Sequence, residues 1–471
     1  MDNHKYHSSL ANESIGKLLW QLSLPAGVGM FVMALYNVVD TMFIGQTVGP
    51  LGIAALSIAF PVQMFIISLG GMVGLGGASV ISRALGAKLF SKAEATLGNI
   101  VSSSVVISIV LTAVIVPNMD FWLSALGATE NITPLAQEYL SIIVWGAIFQ
   151  VFAMSMNSAV RSEGNAKVAM LTMIIGAATN IGLDALFILK LGMGIRGAAT
   201  ATIIAQAVSC GYLIFYYQNG GGMVKIHLAN LKIKWDILRE IIAIGTSSFV
   251  RMVSTSFVMA LLNRTVVGLG GEMYLAAVGI VGRVASFAIM PLIAVAQGLQ
   301  PILGFSYGAK RYDRSLEVIN SSIKIATIIS VIAFFAIFFF SKQIIGIFSN
   351  DIELVEIGGS VMRTIFLVWY LVGFQLVAST LFQAIGKARP AFLTATARQI
   401  LFLLPLLLIL PRYLGLQGVW ISYPIADGIG FGFTLALFLK EMRNLKAQHD
   451  LMKDADKDIE ITAPKPDVEG I

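Results

Sequence analysis

Two acidic residues stand where the chain is otherwise apolar. Asp40 lies in the stretch PAGVGMFVMALYNVVDTMFI, residues 25–44, three residues after Asn37. Asp184 lies in ATNIGLDALFIL, four residues after Asn180. An ionisable group at membrane depth costs roughly 2.5–3.5 kcal/mol on insertion scales, so it is rare and marks a functional site by default. Spacings of i, i+3 and i, i+4 put each Asn/Asp pair on one helix face. Thr202 and Tyr139 supply further oxygen atoms in the same half of the chain. Two carboxylates in one low-dielectric cavity penalise each other's charge, and desolvation adds to that penalty. At least one can then take up a proton near neutral pH, while the same hard oxygens also suit Na⁺. The expectation is a water-accessible cavity shared by Asp40 and Asp184 that loads and unloads a coupling cation. The structural alternative is an acid paired with a neighbouring helix or snorkelling outward, since both lie about one turn from the ends of their spans.

The elements that must position these residues follow from composition. The chain has 471 residues, 57% of them hydrophobic and 12% charged, with mean hydropathy +0.82. Soluble proteins carry about 25% charged residues, so this is an integral membrane protein. Apolar runs of about 20 residues mean spanning helices rather than barrel strands. Twelve spans are predicted near 18–43, 52–79, 97–117, 138–160, 167–189, 196–217, 241–265, 275–301, 320–340, 361–384, 391–411 and 417–439. The polar start lacks a signal-peptide pattern, so the first span is expected to be retained. Cys210 is alone, which excludes a disulfide framework or a cysteine metal site. The four histidines lie in tails and loops, which leaves no intramembrane histidine base.

Charge fixes an orientation. Of the lysines and arginines, 23 fall on the N-terminal tail, on alternate loops and the span ends beside them, and on the C-terminal tail. The opposite loops carry only Lys190, Arg196, Lys342 and Arg412. By the positive-inside rule both termini are cytoplasmic, in a multi-pass protein of the cell membrane, and the excess charge of +6 belongs to these loops rather than to a nucleic-acid surface. The sequence also repeats. Gly86-Ala87-Lys88 returns as Gly308-Ala309-Lys310, and Gly164 and Lys167 return as Gly386 and Arg389, each 222 residues later. Six spans per half is even, so the halves run the same way and are related by an axis along the membrane normal, with the site between them. The expected division is an N-terminal lobe (1–217), a cytoplasmic linker (218–240), a C-terminal lobe (241–440) and a disordered charged tail (441–471).

Other residues weigh less. Pro25, Gly27 and Gly29 place a flexible break before Asp40, although proline is also welcome at a helix start. Adding 222 to 40 and 184 lands on Leu262 and Leu406, so the acid chemistry is confined to the first half. The second half carries Arg251, Arg264, Arg283 and Arg398, with Asp427 as a candidate partner; salt bridges and caps are their expected roles. GGMVGLGG (70–77) sits inside a span and reads as close helix packing, and no GxxxxGK[ST] occurs, so ATP energy is unsupported. Met33, Asn37, Tyr139, Asn157 and Gln206 are candidates to line an adaptable apolar pocket with polar contacts. No cluster of nucleophile, base and metal ligands suggests an enzyme.

Twelve spans in two halves, LYNVVDTMFIG with Asp40, the GAK-type loops, and Asn180 with Asp184 resemble the multidrug and toxic compound extrusion (MATE) transporters. The likeness is to their DinF-like subgroup, over residues 10–445. The resemblance implies a monomeric carrier in the bilayer, without organic cofactor, that expels small cationic, amphipathic drugs by alternating access against inward H⁺ or Na⁺. It also implies a cation or Na⁺ site at Asp40, Asn180, Asp184 and Thr202. The alternative within the same superfamily is a flippase for lipid-linked oligosaccharides, which the arginines of the second half keep alive.

Overall fold

In lipid every backbone N–H and C=O must be satisfied within the segment, and long apolar runs do so by becoming helices. The computed structural model describes residues 10–462, and no strand occurs among them. Eight helices, and two further pairs bent by 52° and 42°, are long and apolar enough to cross a membrane. Two of the eight turn back on themselves, at Gly271 (φ 75°) and Gly415 (φ 56°), and each supplies two spans. Twelve spans result, as the sequence predicts. They are α1 (Ile15–Thr47), α2 (Pro50–Gly86), α3 (Phe90–Ala125), α4 (Thr133–Trp145 with Ala147–Ser162), α5 (Ala166–Lys190) and α6 (Gly194–Gln218) in the first lobe. In the second they are α7 (235–270), α8 (272–308), α9 (Tyr312–Gly346), α10 (Ile352–Ile365 with Trp369–Ala384), α11 (388–414) and α12 (416–462).

The repeat is written in the backbone. Left-handed dihedrals occur at Gly49 and Gly271, at Lys88 and Lys310, and at Gly164 and Gly386, every pair 222 residues apart. Lys88 and Lys310 are the only non-glycine residues with positive φ among the described residues, a conformation costly for any side chain. Both turn the chain after a helix end in the GAK motif. The bends of α4 and α10 also correspond, since Gly146 plus 222 falls in the break before Trp369.

Between α6 and α7 the linker (219–234) carries a short 3₁₀ turn, Leu228–Leu231, and lies along α3. There Ser102 Oγ donates to the Leu231 carbonyl (2.6 Å), and the Lys234 N–H donates to Asn99 Oδ1 (2.9 Å). One expectation is corrected. Residues 441–462 are not a disordered tail but continue α12. Glu441 accepts from Lys387 Nζ at 2.7 Å, and Leu445 is fully buried, so the helix is anchored before it leaves the bundle. The remainder of the predicted tail, 463–471, lies outside the described residues.

The two lobes meet on the face that carries the basic loops. There α2 packs on α7 and α8, and α1 packs on α8. Towards the opposite face α2 and α7 touch where Phe65 lies edge-on to Phe249 and Gly71 beside Met252. On α8 the positions facing α1 are Ala294, Gln297 and Gly298. The same helix face continues through Met290 and Phe287 to Arg283, and the last two are exposed. A cleft therefore opens between the lobes away from the basic face.

Candidate functional site

Asp40 sits in the half of α1 away from the basic face, and Asp184 ends the α-helical part of α5, just before a π-helical turn, Ala185–Lys190. α1 and α5 pack along each other, which brings the two acids within Coulombic reach. Asp40 is 8% exposed and Asp184 fully buried. Neither has a basic partner among the described residues. Asn180, one turn before Asp184, donates through Nδ2 to Thr202 Oγ1 on α6 at 3.3 Å. That bond fixes the amide and leaves Asn180 Oδ1 unpartnered. Asp40 Oδ1 and both Asp184 oxygens are unpartnered and buried as well. Buried acceptors without donors are costly and uncommon. Four of them around two carboxylates make a site that lacks a positive charge, and either protons or one hard cation would supply it.

Two tyrosines frame the acids. Tyr36 on α1 and Tyr139 on α4 lie within Coulombic reach of both Asp40 and Asp184. Gln63 on α2 donates to the Tyr139 hydroxyl at 2.8 Å. Tyr36 and Gln63 were missed in the sequence. Tyr36 precedes Asn37 in the same motif, whereas Gln63 is one polar residue in a long apolar run with no spacing to single it out.

The residues expected to line the cavity divide. Asn37 is exposed and donates to the Met33 carbonyl of its own helix (2.8 Å), so it does not join Asp40. It stands on the same α1 face as Met30, which touches α8, and so faces the cleft; Met33 is half-buried beside it. Asn157 is a tie within the first lobe: it donates to the Ala169 carbonyl (2.8 Å) and accepts from Arg161. Gln206 donates to Gln150 Oε1 (2.9 Å) and joins α6 to α4. Pro25 is buried in the interior of α1, ten residues from its start, so the helix-start alternative does not hold.

The second-half charges are not alike. Arg398 is paired with Asp427 across α11 and α12, the salt bridge expected. Arg251, Arg264 and Arg283 make no ion pair among the described residues, contrary to that expectation. Arg283 instead faces the cleft from α8.

Comparison with known proteins bears on the family and the fold. The MatE family model matches residues 25–186 and 248–409, one copy in each lobe. The multidrug export protein MepA of Staphylococcus aureus (strain MSSA476) is 25% identical over 413 residues, 88% of this chain and 91% of MepA. The solved structure of the MATE multidrug transporter DinF-BH, a complex with a bound ligand, is 42% identical, covers 91% of this chain and 96% of that one, and has a TM-score of 0.86. An outward-facing conformation of a multidrug resistance MATE family transporter is 28% identical, covers 93% and 98%, and has a TM-score of 0.87. Twelve spans, two lobes and a family match over most of both halves lead to one conclusion: this chain belongs to the MATE family.

Proposed function

We propose that the protein is a cation-coupled antiporter, in the cell membrane with both termini cytoplasmic, that exports amphipathic, mostly cationic organic compounds. The observation that carries this reading is the set of four unpartnered buried oxygens on Asp40, Asn180 and Asp184, without a basic neighbour. Multidrug export by MepA and the ligand complex of the multidrug transporter DinF-BH support the substrate class. Ionised, the acids favour a positively charged compound in the cleft. Entry of H⁺ or Na⁺ from outside neutralises them and releases it. Such coupling requires only that the two ligands differ in affinity for the two states. Thr202 and Asn180 hold the oxygen set in place, and no organic cofactor takes part. The protein works as a monomer, since each chain has both lobes.

The test is efflux of a fluorescent cation from vesicles under imposed pH or Na⁺ gradients. Asp40→Asn and Asp184→Asn are each expected to lower gradient-driven export at least tenfold with the fold intact. Export by Asp40→Asn equal to wild type overturns the site. A second reading, export of an anionic lipid-linked sugar, is favoured by the unpaired Arg283 on the cleft face. It predicts binding of an anionic lipid that Arg283→Ala abolishes.

A further inference from the structure

On the basic face one residue of the first lobe engages three parts of the second. Arg83, in the last turn of α2, donates from Nη2 to Glu240 Oε1 on α7 at 2.9 Å. Its guanidinium lies against Gly386, in the turn between α10 and α11, where φ is +79° and a Cβ would overlap the Arg83 Cζ. Its carbonyl oxygen lies against Gly308 at the end of α8, where a Cβ would again overlap. Glu240 is bridged a second time from the first lobe, through Oε2 to Lys92 Nζ at 2.9 Å.

Beneath this bridge the lobes close backbone on backbone. A Cβ on Gly86 would overlap the Phe305 carbonyl, while one on Gly308 would overlap that of Arg83. Residues 86 and 308 are repeat mates, and so are 83 and 305, so this contact sits on the pseudo-symmetry axis. Gly76 with the Ile241 carbonyl, and Gly245 with that of Met72, form a second reciprocal pair between α2 and α7. Ser79 Oγ donates to the Gln383 carbonyl, and Gln383 Nε2 donates to Ser247 (2.9 Å) and Ser248 (3.2 Å). The ionic bridge, unlike the glycine contact, is not duplicated: the repeat mate of Arg83 is Phe305, and that of Glu240 is Leu18.

We propose that Arg83 is the latch of the cytoplasmic gate: its bridge to Glu240 and its seat on Gly386 and Gly308 hold the lobes closed on the basic face and must part before a substrate enters from the cytoplasm. The contacts that set the open or closed state are then separate from the Asp40–Asp184 pair, which lies towards the other end of the spans. Breaking the latch biases the equilibrium without touching the residues proposed to load the cation. The inference rests on the orientation given in the proposed function.

The test uses the full-length protein with Cys210→Ser and a reporter, Ser306→Cys, whose position on α8 is 1% exposed with an unpartnered hydroxyl. Labelling by a membrane-impermeant maleimide is measured in inside-out and right-side-out vesicles. Arg83→Ala and Glu240→Gln are each expected to speed labelling from the cytoplasmic face at least about fivefold, the lower end of typical coupling between sites. The double variant should gain little over either single change. Gly86→Ala, which leaves every charge in place, is expected to act in the same direction. Gly346→Ala, where a Cβ meets open space, should have no effect. Unchanged labelling in both Arg83→Ala and Glu240→Gln overturns the latch, as does an equal rise from both faces. If the unlatched reporter labels only from the extracellular face, the assigned orientation falls while the latch itself stands.

Discussion

Asn180 donates to Thr202, and that single bond decides which end of its amide joins the two carboxylates. If the site takes Na⁺, losing the bond lets the amide rotate and weakens coordination; orienting partners of this kind are typically worth 10–100-fold in metal affinity. Thr202→Val should then raise the Na⁺ concentration for half-maximal export roughly tenfold. If the site takes protons, the same change should leave the pH dependence of export nearly unaltered. Export titrated against Na⁺ and against pH separates the two. A second acid lies outside the spans. Glu163, between α4 and α5, is buried and accepts from the Tyr217 hydroxyl (2.7 Å) and the Met223 N–H, which pins the start of the linker. Burial pushes its carboxyl up to about 7, against the opposing pull of its hydrogen bonds with Tyr217, Met223 and Val224. A carboxyl raised in the folded state contributes stability that is fully present below its unfolded value, near 4.5, and lost as pH rises through about 7. Thermal unfolding should therefore show the wild type losing about 3 kcal/mol between pH 4.5 and 8 through this group, with the loss flattened in Glu163→Gln. Asp40 and Asp184 were legible as candidates because an acid in an apolar run is conspicuous, and the structure buries both. Tyr36, Gln63 and Glu163 were not, since a polar residue near a boundary is ordinary until packing buries it. The ties that Asn157 and Gln206 make were not legible either: their partners, Ala169, Arg161 and Gln150, are set by helix packing that spacing does not encode.

At the scale of elements, Pro25 removes one backbone hydrogen bond in the middle of α1, yet the helix continues from Ile15 to Thr47. Before Pro25, α1 is pinned to α8 where Gly298 meets Ser23; after it, Gly27 meets Ala294 and the helix runs on to Asp40. Bending at Pro25 would let the part that carries Asp40 answer cation loading by parting from Ala294, while the part before it stays docked at Gly298. Pro25→Ala is expected to lower export severalfold while cation binding persists; transport at the wild-type rate would make the bend dispensable. The pair of Arg398 and Asp427 belongs to the same scale, because it joins α11 to α12. Removing one partner of a buried pair strands a charge, so Asp427→Ala should cost about 3–5 kcal/mol in thermal unfolding, whereas replacing both partners by apolar residues should cost far less. Spans and loops were legible from hydropathy and charge, and the 222-residue repeat from two short motifs. The ends were not, because the helices run beyond the apolar runs that reveal them: α7 begins at Trp235, and α12 continues through a charged segment whose anchor, Lys387, lies on another helix.

Across the whole molecule the asymmetry between lobes has an electrical consequence. The backbone repeats every 222 residues, but among the described residues the pair of buried intramembrane acids without a basic partner occupies only the first lobe, so on the proposed mechanism all coupling charge would be loaded in one half of a pseudo-symmetric body. If both Asp40 and Asp184 are neutralised in each turnover, two positive charges enter while one monovalent drug leaves, and each cycle moves one net charge inward. One charge across 100 mV is worth about 2.3 kcal/mol, or close to a fiftyfold change in an equilibrium ratio. A membrane potential of 100 mV, negative inside, should therefore deepen the steady-state drug gradient by roughly fiftyfold over the same pH or Na⁺ gradient alone. Asp40→Asn leaves one titratable acid, so any residual exchange becomes one cation for one cation, and its gradient should not respond to voltage. The measurement is steady-state accumulation of a monovalent fluorescent cation in vesicles clamped at zero and at 100 mV by a potassium gradient with an ionophore. Wild-type accumulation indifferent to voltage would mean that a single charge is loaded in each cycle, as one proton on one carboxylate or one Na⁺ shared by both.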